Sequence, residues 1–248
     1  MITASHKDGP ETAIKPLIVI PTYNNRATLR SVVEAVSLRR ETVLVVNDGS
    51  TDESIDTLRG LSVTILNHSR NQGKGAAILT ALEWAERHHF THIITLDADG
   101  QHCPSDVSLF VERIYQNPRA VVVGNRVSPD RSMPRLSRFG RALSNFWLRV
   151  CTGIHLPDSQ SGFRSYPVKP LRMLAFKGRR YDFEVEVLIR GAWSGVTLDS
   201  LDISVIYSES TKLGSHFSPV IDNYRITKIY VVSVIRSWFL SPRKLSSR

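Results

Sequence analysis

Short apolar runs and amphipathic stretches alternate along the first half of the chain. The runs at 17–21 (LIVIP), 42–48 (TVLVVND), 63–66 (VTIL), 92–96 (HIITL) and 120–124 (AVVVG) predict buried strands. Between them, Leu29, Val32, Val33 and Val36 recur at helical spacing, Thr51 and Asp52 open a short helix, and residues 74–88 form a long amphipathic one. A further helix over 104–114 carries proline in its first turn. Strands that are apolar throughout and alternate with helices predict one Rossmann-like α/β layer, a mostly parallel sheet covered on both faces.

The second half has a different texture. From Pro134, one helical stripe gathers Leu136, Phe139, Leu143, Phe146, Trp147 and Val150, while Arg135, Arg138, Asn145 and Arg149 fall on another. Residues 158–167 are loop-like with a short extended piece. Residues 181–195 predict a helix capped by Asp182 with Gly195 near its end. A late strand is expected at 201–207. The stretch 226–240 is strongly apolar but interrupted by Lys228 and Arg236, and no window has the roughly 18–20 uninterrupted apolar residues that a spanning helix needs.

Four polar clusters follow the predicted strands directly: PTYNN (21–25), NDGSTD (47–52), NQGKG (71–75) and DADGQH (97–102). In open parallel sheets, ligands bind at the carboxyl ends of the strands. In an extended segment Asp97 and Asp99 point to one side, and two carboxylates that converge without a counter-ion repel. A divalent ion with oxygen ligands, Mg²⁺ or Mn²⁺ joined to a substrate diphosphate, would resolve that conflict, and Gln101 would extend the ligand set. Asp48 is a candidate acceptor for a base or ribose, and Tyr23 a candidate for stacking on a base. Lys74, with two glycines at a helix start, favours an anion. The full P-loop spacing is absent, as is a G-x-G-x-x-G after the first strand.

Composition narrows the picture. The 248 residues are 42% hydrophobic and 22% charged, enough for a substantial core. The net charge of +9 is concentrated: residues 126–180 hold twelve Lys and Arg against Asp130 and Asp158, a net of +10. Such a block suits a polyanionic partner. Cys103 and Cys151 match no metal spacing and are expected as free thiols in a reducing compartment. The eight histidines show no zinc-ligand spacing.

Taken together, the motifs VIPTYNN, VVNDGSTD, NQGKGAAI, LDADGQH and SGFRSY resemble, in that order, the family 2 glycosyltransferases of the GT-A fold. The nearest resemblance is to the polyprenyl-phosphate (dolichol-phosphate) mannosyltransferase-like branch, over roughly residues 16 to 207. The resemblance implies a nucleotide-diphosphate-sugar donor, UDP- or GDP-linked, and an inverting transfer. It assigns Pro21, Tyr23, Asn25 and Asp48 to the nucleoside side. Asp97, Asp99 and Gln101 surround the metal (Mn²⁺ or Mg²⁺) and diphosphate, with Lys74 and Arg126 near the phosphates. Residues 1–15 are expected as a loose leader, 16–207 as the glycosyltransferase domain and 208–248 as a tail.

Two acceptors remain open. A hydroxyl needs a carboxylate base, for which Asp158 is the first candidate, with Glu184 and Asp182 behind it. A lipid monophosphate is already anionic and needs cationic binders instead; Arg126, Arg131, Arg135, Arg138 and Arg164 suit it. The basic block favours the lipid phosphate. Lys228, Arg236, Arg243, Lys244 and Arg248 would place the tail on an anionic membrane surface. The expected location is cytoplasmic and peripheral, at the inner face of the membrane. No nucleic-acid partner is expected, because the arginines form no reading motif and the strand-end acids repel phosphate.

Overall fold

The computed structural model describes residues 13–38, 41–127, 135–206 and 219–239. Within them, β1 (Pro16–Thr22), β2 (Thr42–Asn47), β3 (Thr64–Asn67), β4 (His92–Thr95), β5 (Ala120–Arg126), β6 (Arg164–Pro167) and β7 (Thr197–Ile203) form a single sheet. Its order is β3-β2-β1-β4-β6-β5-β7. Every neighbouring pair is parallel except the two that involve β6. The expected mostly parallel α/β sheet is the one found.

Alternation along the strands builds a core on each face. Leu17, Val19, Leu44 and Val46 point to one side and pack against α2 (Lys74–Arg87) through Ala77, Ile78, Ala81 and Leu82. Ile18, Ile20, Val43 and Val45 point to the other. There they meet Val32, Val33 and Val36 of α1 (Leu29–Ser37) and Phe110 and Ile114 of α3 (Val107–Gln116). The small residues of α2 let its backbone lie close over β1 and β2, which positions its N-terminus at their carboxyl ends.

Two expectations are corrected. The late strand runs over Thr197–Ile203 instead of 201–207. Its register is set by β5, with Ala120 opposite Thr197 and Arg126 opposite Ile203, so pairing begins earlier than the most apolar stretch. The ladder ends where Asp106 Oδ2 accepts the Ser204 N–H at 2.7 Å and Gln101 O accepts the Ile206 N–H at 2.8 Å. The extended piece in 158–167 is β6, an antiparallel strand inserted between β4 and β5. Its four residues are all buried.

Four helices complete the fold: α4 (Arg135–Thr152), α5 (Val168–Arg172), α6 (Asp182–Trp193) and α7 (Pro219–Phe239). Asp182 is the first helical residue of α6, and its Oδ1 accepts the N–H groups of Arg180 and Phe183. Helix α7 packs on α4 and α6, burying Tyr230 and Ser233. Among the described residues no helix is long and apolar enough to cross a membrane. Arg243, Lys244, Arg248 and the side chain of Arg236 lie outside the described residues.

Phe110 is fully buried and stacks on Phe163 with ring centroids 4.3 Å apart. Phe163 immediately precedes β6, so this stack ties α3 to the inserted strand. Phe110→Ala is expected to cost about 3–5 kcal/mol, read as a lowered midpoint in chemical denaturation.

Candidate functional site

The carboxyl ends of β1, β2 and β4 lie side by side, and the turns that follow them are cross-linked. Asn24 Oδ1 accepts the Thr51 N–H at 2.8 Å, and Asp52 Oδ2 accepts the Arg26 N–H at 3.0 Å. Asn25 Oδ1 accepts the Tyr23 N–H at 3.3 Å, and Thr28 Oγ1 donates to Ala98 O at 2.6 Å. Pro21 is buried within β1, while Tyr23 and Asn25 are partly exposed at the turn. Gly49 has φ +76°, and a Cβ there would lie 2.5 Å from the Arg70 carbonyl carbon, so only glycine fits where the two turns meet.

Asp48, expected to accept from a base or ribose, is instead spent inside the protein. Its Oδ1 meets His68 Nδ1 at 2.7 Å and the Gln72 N–H at 2.9 Å, and its Oδ2 accepts the Gly73 N–H at 2.7 Å. His68 passes the link to Thr80 Oγ1 at 2.9 Å. The carboxylate shapes the NQGKG turn and so sets where α2 and Lys74 begin.

Strand β4 ends at Thr95, and residues 98–100 turn through Gly100 (φ +76°). The two aspartates therefore do not share the face of one extended strand, as the spacing predicted, but they still sense each other. Burial and then the Asp97 charge push the Asp99 carboxyl up to about 6. The missing counter-charge comes from far along the chain. Lys74 Nζ lies 2.6 Å from Asp97 Oδ1 and 2.8 Å from Glu184 Oε1, the latter an ion pair out of line for a hydrogen bond. Burial opposes the lysine's charge, yet the two carboxylates outweigh it and hold the ammonium above its ordinary range. Burial likewise opposes ionisation of Asp97, but Lys74 outweighs it and keeps that carboxyl low.

Two residues that the sequence reading left without a role close this centre. His102 is buried, and burial drives its imidazole down to about 4. Its Nδ1 accepts the Asp97 N–H at 3.3 Å, and its ring lies against Phe163. Gly162 roofs the ion pair: a Cβ there would sit 2.4 Å from Lys74 Nζ and 2.5 Å from Asp97 Oδ2. The sequence signal for Gly162 was its place in the SGFRSY motif.

Among the described residues no three His, Cys, Asp or Glu side chains cluster as a ready-made metal cage. Asp97 and Asp99 offer carboxylates, and burial together with the Asp97 charge raises Asp99. That donor set fits a hard divalent ion that keeps its other positions for substrate phosphate. Gln101 lies beside it, its N–H donating to Asp99 Oδ1 at 2.9 Å.

A second cluster is centred on Asp158, whose side chain is wholly buried. Arg126 grips it with two bonds, Nε to Oδ2 at 2.7 Å and an Nη2–H to Oδ1 at 3.0 Å, and Arg141 reaches Oδ2 at 3.4 Å. Burial opposes the Asp158 charge, but the Arg126 bonds and both guanidinium charges hold its carboxyl below the usual range. Asn145 of α4 clamps the same loop by donating to Pro157 O at 2.7 Å and accepting the Ser159 N–H at 2.9 Å. Behind it, Ser144 Oγ lies 2.9 Å from Ser159 Oγ and 2.7 Å from Tyr230 Oη of α7. Arg141 was counted in the basic block but assigned no contact.

Of the remaining expected phosphate ligands, the described ones, Arg164 and Arg138, do not join this cluster. Arg164 is fully buried, and its guanidinium donates to the carbonyls of Ser161, Glu184 and Ser159 at 2.6, 2.6 and 2.9 Å. It is an internal strut for β6, unavailable to a ligand. Arg138 is exposed on α4; Arg131 and the side chain of Arg135 lie outside the described residues. Glu184 is committed to Lys74 by its side chain and to Arg164 by its carbonyl.

Residues 17–175 match the family model of glycosyl transferase family 2. The UDP-N-acetylglucosamine–dolichyl-phosphate N-acetylglucosaminyltransferase of Methanococcus voltae is 26% identical over 215 residues, 77% of this chain and 86% of its own. The polyprenol monophosphomannose synthase of Mycolicibacterium smegmatis is 25% identical over 209 residues, 79% of this chain and 78% of its own. Among solved structures, the Mycobacterium tuberculosis glucosyl-3-phosphoglycerate synthase in complex with Mn²⁺ and UDP-glucose superposes with a TM-score of 0.66. That alignment covers 91% of this chain and 79% of the other, and at 16% identity the likeness is one of GT-A fold.

Gly162→Ala is expected to force Lys74 and Asp97 apart while leaving the sheet intact. Stabilisation by a nucleotide-sugar with Mn²⁺ should fall at least about tenfold in apparent affinity, as for a lost charge-assisted contact, and the ligand-free melting temperature should fall as well because a buried ion pair is parted. A thermal-shift titration of both proteins checks it.

Proposed function

The chain belongs to glycosyl transferase family 2, and within that family we propose that it moves a sugar, with inversion, from a nucleoside-diphosphate sugar to the phosphate of a polyprenyl-type lipid. The observation that carries this reading is the grip of Arg126 and Arg141 on one buried aspartate. Two guanidiniums thus share a single buried carboxylate. Arg126 also acts electrostatically on Asp97 and Asp99, so the two clusters share one site. The named activities of the Methanococcus and Mycolicibacterium relatives support the same acceptor class.

The donor side follows from the strand ends. Tyr23 and Asn25 at the partly exposed β1 turn face the nucleoside, with Pro21 fixing the end of the strand and Asp48 shaping the neighbouring turn. Asp97 and Asp99 would hold a divalent ion, Mn²⁺ or Mg²⁺, with Gln101 beside them. Such an ion supplies positive charge to a departing diphosphate. Lys74 keeps Asp97 ionised and correctly turned, and Glu184 holds Lys74 in place.

Transfer then asks little acid–base work of the protein. An oxygen of the acceptor phosphate, already anionic, forms the new bond to the anomeric carbon on the face opposite the donor. The old carbon–oxygen bond breaks, and its electron pair leaves with the nucleoside diphosphate. Arg126 and Arg141 orient the phosphate and offset its repulsion from the diphosphate. Asp158 holds the two arginines apart and aimed. Because they lower its basicity, it is a poor general base, and that disfavours a hydroxyl acceptor using Asp158 for the proton. The lipid acceptor implies an enzyme that works at the membrane surface.

Arg141→Ala is expected to raise KM for a short-chain polyprenyl phosphate by about 10–100-fold, the range for a lost charge-assisted contact, with KM for the donor unchanged. Asp158→Asn should lower turnover on the same acceptor by releasing both arginines. Sugar transfer to a hydroxyl acceptor, with polyprenyl phosphate inert, would overturn the reading. EDTA is expected to abolish the thermal stabilisation given by UDP- or GDP-sugars, and Mn²⁺ or Mg²⁺ to restore it.

A further inference from the structure

One buried histidine joins three elements on the donor side of the site. His68 follows β3 directly, and its side chain and that of Asp48 are only 9% and 4% exposed. Nδ1 lies 2.7 Å from Asp48 Oδ1, and Nε2 lies 2.9 Å from Thr80 Oγ1 in the second turn of α2. The His68 N–H donates to Asn47 O at 2.8 Å. The residue is thus held at its backbone and at both ring nitrogens.

The partners give each nitrogen a different task. Asp48 already accepts the N–H groups of Gln72 and Gly73, and its carboxylate takes the Nδ1–H as a third donor. On the neutral ring Nε2 then accepts from the Thr80 hydroxyl.

What the ring fixes is the rotation of one carboxylate. Without His68, Asp48 would keep one N–H partner on each oxygen and lose the contact that sets its plane. Those two oxygens hold the turn that ends at Gly73, the N-cap of α2, with φ +103°. Lys74 follows immediately. On the other side of the same helix start, the Ala76 N–H donates to Arg179 O at 2.8 Å. Asp48 and Arg179 therefore clamp the beginning of α2 between them, and only the first clamp depends on a side chain that can turn.

We propose that His68 is a positioning residue for the donor centre: by holding Asp48 it sets where α2 begins, and so where the Lys74 ammonium stands against Asp97 and Glu184. The inference rests on the nucleotide-sugar reading and deepens it by naming what aligns the lysine. His68 acts through Asp48 and not on the substrate. The same grip keeps the Asp48 carboxylate turned inward, away from a nucleoside base.

Two substitutions separate the two nitrogens. An asparagine amide N–H falls near the Nδ1 position and a glutamine amide N–H near Nε2, so His68→Asn keeps the Asp48 link and His68→Gln the Thr80 link. The full chain and both variants are titrated with UDP- and GDP-sugars plus Mn²⁺ by thermal shift. KM for a short-chain polyprenyl phosphate and, without ligand, amide exchange at Gln72 and Gly73 are measured alongside. His68→Asn is expected to keep the apparent donor affinity within about threefold, and His68→Gln to lose at least about tenfold, as for a lost charge-assisted bond. The Gln72 and Gly73 amides should exchange faster in His68→Gln alone, and KM for the acceptor should stay unchanged in both. Each variant gives up one of the two links, so a merely structural histidine would weaken both alike.

Equal donor affinity in all three proteins, or an equal loss in both variants, overturns the proposal. So does a changed preference between UDP- and GDP-sugars in His68→Gln with unchanged exchange at Gln72 and Gly73, which would make Asp48 a reader of the base. Faster exchange in His68→Gln alone, with no nucleotide-sugar stabilising any of the three, upholds the brace on the Lys74 turn while the donor reading fails.

Discussion

The ion pair between Lys74 and Asp97, shared with Glu184, is the constraint on which the site depends. It joins the first residue of α2, the turn after β4 and the first turn of α6, three elements from both halves of the chain. Burying one ammonium against two carboxylates is costly unless each stays paired, so none of the three elements shifts alone. Asp48 fixes where α2 begins, and Gly162 leaves just enough room above the pair. A second carboxylate, Asp99, remains next to this balanced one. One aspartate is thus held ionised by Lys74, while burial and its neighbour's charge raise the other.

The second half of the chain repeats the same economy with the signs reversed. Asp158 is buried and balanced by two arginines, Arg126 and Arg141. The loop that bears it is held on α4 by Asn145 and on α7 through Ser144 and Tyr230. Insertion of β6 between β4 and β5 makes this possible, because it carries 158–163 across the carboxyl end of β4. Arg164 fills the space beneath that loop and donates to two of its carbonyls, those of Ser159 and Ser161, and to the Glu184 carbonyl of α6. One antiparallel strand therefore brings the Lys74–Asp97 cluster and the Asp158–Arg126 cluster to the same end of the sheet.

Much of the framework was legible in the residues. Five apolar runs gave five strands within a residue or two; four of them, β1, β2, β4 and β5, are largely buried, and such a strand cannot hide among polar neighbours. The polar turns after β1, β2 and β4 stood out for the same reason, since apolar strands end where carboxylates and glycines begin. The late strand starts ahead of its most apolar stretch because pairing follows the register of β5. Arg164 misled in a different way. Its charge belonged to a basic block that looked solvated, yet its guanidinium is consumed by backbone carbonyls.

The sequence by itself determined the sheet, its covering helices and the aspartate pair at a strand end, since these depend on local periodicity and on residues close in the chain. Only the tertiary structure decided which charge answers which. Lys74 meets Glu184, Arg126 meets Asp158, and the apolar stripe of α4 faces outward rather than into the core. Periodicity reveals that an element has an apolar or a charged side. What lies against that side is a matter of packing between segments far apart in the chain.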